Sequence, residues 1–307
     1  MIWKRRIASL ATQKMQIEVH EIILAESMKI ILTGGSGDLG QCVIPLLKKE
    51  GHTTLNFDIQ DPASGSENFL QGSLLKPSQI MAALEDVNLV IHIAAWHGIH
   101  ETRGWKTPKD FWDLNVDGTH HLIEACVKQG VSRMIHISSS SVSKSKGVYG
   151  HTKRVAEEIM AYAHHSREMD IVTLRPRAFI PPWNDTVYSG FKEWASRFWA
   201  GAVHIDDVAQ ATLSSVQVLA SRSHSEHNIL AIDRSPDFPR EALRDWDENG
   251  PGSTFNKFYP EHISLAKRWG LDTSIQPNYT DISEAMKVLD YHPAYSIKNL
   301  MHELSTQ

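Results

Sequence analysis

Strand-length apolar runs alternate with helix-period segments from residue 28 onward, and this alternation constrains the fold more than any other feature of the 307-residue chain. The runs are KIILT (29–33), TTLNFD (53–58), NFLQG (68–72), NLVIHIAA (88–95), RMIHIS (133–138) and DIVTLR (170–175). Helical periodicity fills 39–50, 77–85, 109–129 and 149–166. Near-continuous apolar strands need cover on both faces, and strands joined through helices run parallel. The expectation is an α/β chain with a doubly wound parallel sheet, whose ligands sit beyond the carboxyl ends of the strands.

After Arg175 the rhythm changes. Pro176, Pro181, Pro182 and Trp183 interrupt it, and GFKEWASRFW and VHIDDVAQATLSSVQVLA follow. A short run NILAI (228–232) precedes a Pro/Gly-rich stretch from Pro236 to Gly252, and helical segments recur around 261–269 and 281–289. This divides the chain into a nucleotide-binding domain of 28–175 plus 202–232 and a small substrate-capping lobe of 176–201 plus 233–307. Residues 1–27 read as an extension outside the core, because MKIIL at Met28 has the look of a chain start. The apolar part of that extension is too broken for a signal peptide, and Glu18, Glu21 and Glu26 argue against an organelle presequence.

The first strand runs into TGGSGDLG, Thr33 to Gly40. Gly34, Gly37 and Gly40 form GxxGxxG; Gly35, Gly37 and Gly40 also satisfy GxGxxG. Glycines permit a tight turn and bring backbone N–H groups close to a pyrophosphate at a helix N-terminus, where the dipole favours negative charge. The loop lies at the first strand-to-helix turn, the context in which this spacing signals a Rossmann-type dinucleotide site. Gly34, Gly37, Asp38, Leu39 and Gly40 are therefore assigned to the cofactor. Asp58 ends the second strand and accepts from both ribose hydroxyls while repelling a 2′-phosphate. No arginine stands beside it, so the expected cofactor is NAD rather than NADP.

Composition excludes several alternatives. A net charge of −5 offers no basic field for nucleic acid. No apolar run reaches the ~18 residues that span a bilayer. Two cysteines, Cys42 and Cys126, form no CxxC pair and fit a reducing, cytoplasmic setting. The seventeen histidines show no metal-ligand spacing, and no metal is expected.

The fifth run leads into SSSSVSKSKGVYGHTK, Ser138 to Lys153. Tyr149 and Lys153 are four apart and share a helix face. A phenol is a poor base at neutral pH, its reference pKa being about 10. A cation ~4 Å away at an effective dielectric of ~20 contributes about 4 kcal/mol, about three pKa units, which brings it near 7. Such a pair deprotonates a carbinol as hydride leaves for a nicotinamide. YxxxK alone is cheap, since seven tyrosines give roughly 0.4 chance matches, and Tyr188 with Lys192 is a second one. Position favours Tyr149, which opens a helix over the dinucleotide crevice; Tyr188 lies in the Pro-rich lobe as a substrate contact or a packed aromatic.

TGGSGDLG, Asp58, HIAA (92–95), Asn115 in NVDGTHHLIEA, the Ser run, YGHTK, LRP (174–176) and VHIDDVAQA occur in an order that resembles extended short-chain dehydrogenases/reductases, above all the NAD-dependent epimerase/dehydratase family. The resemblance covers about 28–300. It implies a Tyr/Lys/Ser centre with Ser140 as the serine, Ser139 and Ser141 being close rivals. It also implies cofactor contacts at Ala94, Ala95, Asn115, Lys153 and Pro176, with Asn115 supporting the site, and a homodimer formed through the helices of 109–129 and 149–166.

Three departures stand out. Ser140 to Tyr149 is only nine residues, shorter than the family usually shows. GSLL, with Ser73, replaces an acidic residue near adenine, and the Ser run lacks the Asp-Glu pair of sugar dehydratases. His97, Ser140, Arg177 and Tyr188 are the expected substrate contacts, with His100 beside His97. Asp206 and Asp207 read as helix caps, and Trp183, Trp194 and Trp199 as core. The leading expectation is an NAD-dependent oxidoreductase or epimerase acting on a secondary alcohol of a sugar or nucleotide-sugar. With only 27 residues between Arg175 and VHIDD, a free sugar or sugar acid is an alternative, as in uronate dehydrogenases. A non-catalytic NAD-sensing regulator is the rival from another class.

Overall fold

A computed structural model describes residues 27–62, 68–144, 147–234, 237–276 and 279–307. The expectation that residues 1–27 form a separate extension falls, except for Ser27, outside them. Ser27 donates to the carbonyl of Gly51 (2.8 Å) and Met28 is buried, so the described chain is anchored from its first residue.

Seven parallel strands form one sheet in the order β3-β2-β1-β4-β5-β6-β7. They are β1 (Lys29–Thr33), β2 (Thr53–Asp58), β3 (Phe69–Gln71), β4 (Leu89–His92), β5 (Arg133–Ile137), β6 (Asp170–Pro176) and β7 (His227–Ile232). The helices are α1 (Asp38–Lys49), α2 (Pro77–Ala83), α3 (Gly98–Thr102), α4 (Pro108–Phe111), α5 (Thr119–Gln129), α6 (Val148–Arg167), α7 (Phe191–Trp199), α8 (Ile205–Ser221), α9 (Glu241–Asn249), α10 (Ser253–Phe258), α11 (Ile263–Trp269), α12 (Ser283–Leu289) and α13 (Ile297–Thr306). The doubly wound sheet expected from the sequence is the fold.

Alternation along each strand builds two cores. Ile30, Leu32, Leu89, Ile91, Ile135, Ile137, Val172 and Leu174 face α1, α8 and α12. Ile31, Val90, Met134 and Ile171 face α2, α5 and α6. A third apolar cluster, from Val187 to Leu304, holds the lobe together through Trp194, Phe198, Trp199 and Phe255. Ile282, Ala285, Leu289 and Tyr291, which the sequence divided into the lobe, pack instead in the first sheet core.

Two expected elements differ. The run 88–95 is a strand only at Leu89–His92. The next two N–H groups, of Ile93 and Ala94, both converge on the carbonyl of Thr33 (3.1 and 3.0 Å), which turns the chain away and opens the crevice. The single helix expected over 109–129 is α4, a wider π-helical stretch at Trp112–Gly118, then α5. The stretch contains Asn115, and such insertions gather at functional positions.

Candidate active site

The carboxyl ends of the strands open into a cleft of about 1000 Å³. At one end lies the turn between β1 and α1. Gly34 has φ +73°, and a Cβ there would lie 2.7 Å from the Ala94 nitrogen. Only glycine fits that approach. A Cβ on Gly40 would lie 2.3 Å from the Gly35 carbonyl oxygen, so Gly40 lets α1 pack against the loop and does not line the cleft. No side chain caps α1 at Gly37. The first-turn N–H groups of a 12-residue helix therefore face the cleft free to bind an anion. Asp58 accepts from the backbone N–H of Ser36 (3.0 Å) and of Gln60 (3.1 Å), which fixes its carboxylate at the mouth of the crevice. Gly34, Gly37, Asp38, Leu39, Asp58, Ala94, Ala95 and Pro176 all line this end. A glycine cradle, an uncapped helix end and a fixed carboxylate fit a dinucleotide.

Ser138 to Ser141, Tyr149, Lys153, His97, Arg177 and Tyr188 line the same cleft. Asn115 lies behind it, buried, with its amide accepting from the Trp96 N–H (2.8 Å) and donating to the Trp96 carbonyl (2.9 Å) and Thr152 hydroxyl (3.1 Å). It ties the loop after β4 to α6.

Ser139 is the serine that acts on the Tyr149 phenol, and its Oγ accepts from the Ser141 N–H (3.1 Å). Ser140, the serine implied by the family resemblance, opens a short 3₁₀ turn at Ser140–Lys144. Burial pushes the phenol above its ordinary range, and the Ser139 hydrogen bond opposes that. The lowering toward neutrality expected from Lys153 is absent for a geometric reason. The Lys153 ammonium donates inward, to the Ile137 carbonyl (2.7 Å) and His136 Nε2 (3.2 Å). Burial lowers Lys153 to about 8, against the raising influence of Glu157. Glu157 in turn accepts from the Ser138 hydroxyl (2.5 Å) and from the Arg175 guanidinium through Nε (2.9 Å) and Nη2 (2.5 Å). Arg175 is thus a structural partner of α6.

In the substrate half, His97 donates its N–H to His100 Nδ1 (3.2 Å), the rings lying 4.2 Å apart, and burial brings the His97 imidazole down to about 3. It is neutral and serves as a hydrogen-bonding group. Arg177 stands 3.9 Å from Asp233. Tyr188 is buried ahead of α7, so Tyr188 and Lys192 share no helix. The lobe reaches the glycine turn through Asn184, which donates to Asp38 (2.8 Å). His204 accepts the Asp206 N–H (3.3 Å) as cap of α8. Asp207, expected as a cap, instead holds the segment before α13 through the N–H groups of Ala294 (2.7 Å) and Tyr295 (3.3 Å). Trp194 and Trp199 are core, whereas Trp183 is 55% exposed.

Sequence reasoning missed Glu101. Its carboxylate accepts from the N–H groups of Val148 (2.7 Å) and Tyr149 (3.2 Å), capping α6 from the far side of the crevice. A Cβ on Gly147 would lie 2.4 Å from that carboxylate, so the glycine before α6 was the signal of a group arriving there. Among the described residues no cluster of His, Cys, Asp or Glu could hold a metal ion, and no helix is long and apolar enough to cross a membrane.

Solved structures share this architecture. A short-chain dehydrogenase/reductase from Agrobacterium tumefaciens with bound NAD is 18% identical with a TM-score of 0.67, covering 91% of this chain and 96% of that one. UDP-N-acetylglucosamine 4-epimerase from Bacillus cereus is 19% identical with a TM-score of 0.63, covering 91% and 98%. At these identities the likeness is one of fold. Among curated proteins, the uncharacterized protein y4nG of Sinorhizobium fredii is 26% identical over 89% of this chain and 76% of its own length. A 2-alkyl-3-oxoalkanoate reductase of Stenotrophomonas maltophilia is 28% identical over 50% of this chain, which spans only 52% of that enzyme. The model of the NAD dependent epimerase/dehydratase family matches residues 30–231, well over half of the chain. With the glycine cradle, the uncapped α1 and the seven-stranded sheet, that match makes the chain a member of the NAD-dependent epimerase/dehydratase family of oxidoreductases.

Proposed function

We propose that the protein interconverts a secondary alcohol and a ketone on a sugar or nucleotide-sugar, with Tyr149 as acid/base, Ser139 orienting the reacting oxygen and Lys153 supplying positive charge. The observation that carries this reading is that Tyr149, Ser139 and Lys153 open onto one cleft with the glycine turn and Asp58. NAD, when bound, supplies the acceptor or donor of hydride. The chain's own residues handle the proton. Held above its ordinary pKa by burial, the Tyr149 phenol keeps its proton in the resting protein and can donate it to a ketone oxygen. In the opposite direction the phenolate left by that donation takes the carbinol proton back, and Ser139 stabilises the phenolate by donating to it. Gly34, Gly37, the first turn of α1, Asp58, Ala94, Ala95 and Pro176 are the residues that would hold the dinucleotide.

The substrate half favours a polyhydroxylated, anionic compound. His97, Arg103, Arg177, Thr186 and Arg197 all reach the cleft wall. An apolar acyl chain would meet a wall of polar and cationic groups with which it forms no hydrogen bonds. The same arginines and the short lobe support a second reading, a dehydrogenase of a free sugar acid. Purified protein incubated with NAD and panels of sugar nucleotides, free sugars and uronates separates the two. Accumulating NADH marks a dehydrogenase, and interconverted sugars without net NADH mark an epimerase. Tyr149→Phe is expected to lower turnover at least ~10³-fold with NAD binding nearly intact; undiminished turnover in that variant would end the assignment.

A further inference from the structure

Four polar side chains cross the middle of the sheet in one row. Thr33 of β1 pairs with His92 of β4, His92 with His136 of β5, and His136 with Thr173 of β6. Each is at most 1% exposed. By the alternation of the strands they follow the apolar Ile31, Val90, Met134 and Ile171 on the same face. His92 is fully satisfied, Nδ1 by the Thr33 hydroxyl (2.8 Å) and Nε2 by the Thr119 hydroxyl (3.0 Å). His136 is not. Its Nε2 meets Lys153 at 3.2 Å, while its Nδ1 has no hydrogen-bond partner among the described residues. A buried polar atom without a partner is destabilising and calls for an explanation other than packing.

We propose that His136 is a positioning residue for the chemistry assigned above: fixed in the sheet, its neutral imidazole accepts from Lys153 and keeps that side chain charged and anchored at the inner wall of the cleft. The inference rests on the reading of Tyr149 and Lys153 as the reacting pair. An ammonium only donates, so the contact has one sense, Nζ–H to Nε2, and the ring proton sits on Nδ1. Burial, then the positive Lys153, then His92 and His227 hold His136 well below its ordinary pKa, so it stays a neutral acceptor. Lys153 is further faced by Glu157 on its own helix, and Glu157 is shared with Arg175 of β6 and Ser138. His164 of α6 stands 6.0 Å from His227, ring to ring, at the far edge. With the Ile137 carbonyl and His136 taking two of the three Lys153 donors, one remains for the cleft that Lys153 lines.

The test compares His136→Leu with His136→Gln in the full chain. Leucine removes the acceptor, while the Gln carbonyl can accept as Nε2 does. A hydrogen bond to the charged form favours that form. The alkaline limb of the kcat profile is therefore expected to move down by about one pH unit in His136→Leu, about tenfold less turnover on the falling limb, and to stay in place in His136→Gln. The melting temperature of the Leu variant should fall at neutral pH, where the charged Lys153 loses an acceptor, and fall less in His136→Gln, which keeps one. Independently of activity, ¹⁵N-histidine NMR should show the acceptor signal of His136 Nε2 shifting in Lys153→Met. An unmoved limb in His136→Leu, or an unchanged Nε2 signal in Lys153→Met, overturns the inference. If Tyr149→Phe is inactive while the His136→Leu limb stays put, this inference falls alone; if Tyr149→Phe still turns over, the reading beneath it falls.

Discussion

Lys153 is 3% exposed, and burial brings its ammonium from 10.5 down to about 8. A lysine whose pKa falls on folding is penalised wherever both states are charged. The penalty is full below the native value, at neutral pH, and fades as pH rises through 8 toward 10.5, because there the unfolded chain binds the extra proton. At 1.36 kcal/mol per unit the shift amounts to about 3 kcal/mol at pH 7, of which about 2.5 kcal/mol is recovered by about pH 10. Lys153→Met removes the titrating group. It also leaves the Ile137 carbonyl and His136 Nε2 without their donor, a cost independent of pH across that interval. Urea denaturation of both proteins at a series of pH values isolates the charge: the difference in unfolding free energy should close by about 2.5 kcal/mol in favour of the native protein between about pH 7 and 10. Parallel stability curves would refute the reasoning, since they would mean that Lys153 carries no buried charge at neutral pH and that the inward hydrogen bonds of its ammonium are wrong.

Gly34→Ala should weaken NAD binding at least ~10-fold and lower the melting temperature, because an alanine at φ +73° costs about 1–2 kcal/mol and its methyl meets the Ala94 backbone; isothermal titration against NAD checks this, and native affinity would show that the turn can relax. Asp58→Ala should weaken NAD more than NADP, narrowing their affinity ratio by roughly 10-fold, since its carboxylate is held at the crevice mouth by Ser36 and Gln60. A protein that prefers NADP from the outset would contradict that role.

What the sequence disclosed follows from what each element needs. Strands covered on both faces must be apolar almost throughout, so β1, β2, β5 and β6 were legible nearly to the residue. The glycine turn was legible because no other residue type satisfies its backbone. The lobe was read less well. Helices α9 and α10 fall in the stretch read as irregular from Pro236 to Gly252 and just beyond, and α13 is signalled only by Ser296 and Asn299, whose side chains close its first turn. The contacts of Asn184 with Asp38 and of Asp207 with Ala294 join residues 146 and 87 positions apart, and no local pattern announces them.

The least legible part of the site is also its most particular. Because only nine residues separate Ser140 from Tyr149, α6 begins at Val148, one residue before the tyrosine. The phenol is thus carried on the first turn of its helix, whose free N–H groups need a partner. Glu101 provides it from α3, the helix that follows His97 on the substrate wall, and the Gly98 position faces the Tyr149 ring at 3.4 Å from where a Cβ would stand. The loop of His97 and the first turn of α6 are therefore joined by a carboxylate that accepts two backbone hydrogen bonds. The first turn that carries the tyrosine is thus held by a residue forty-eight positions earlier in the chain, a contact that no local pattern around Tyr149 announces apart from Gly147.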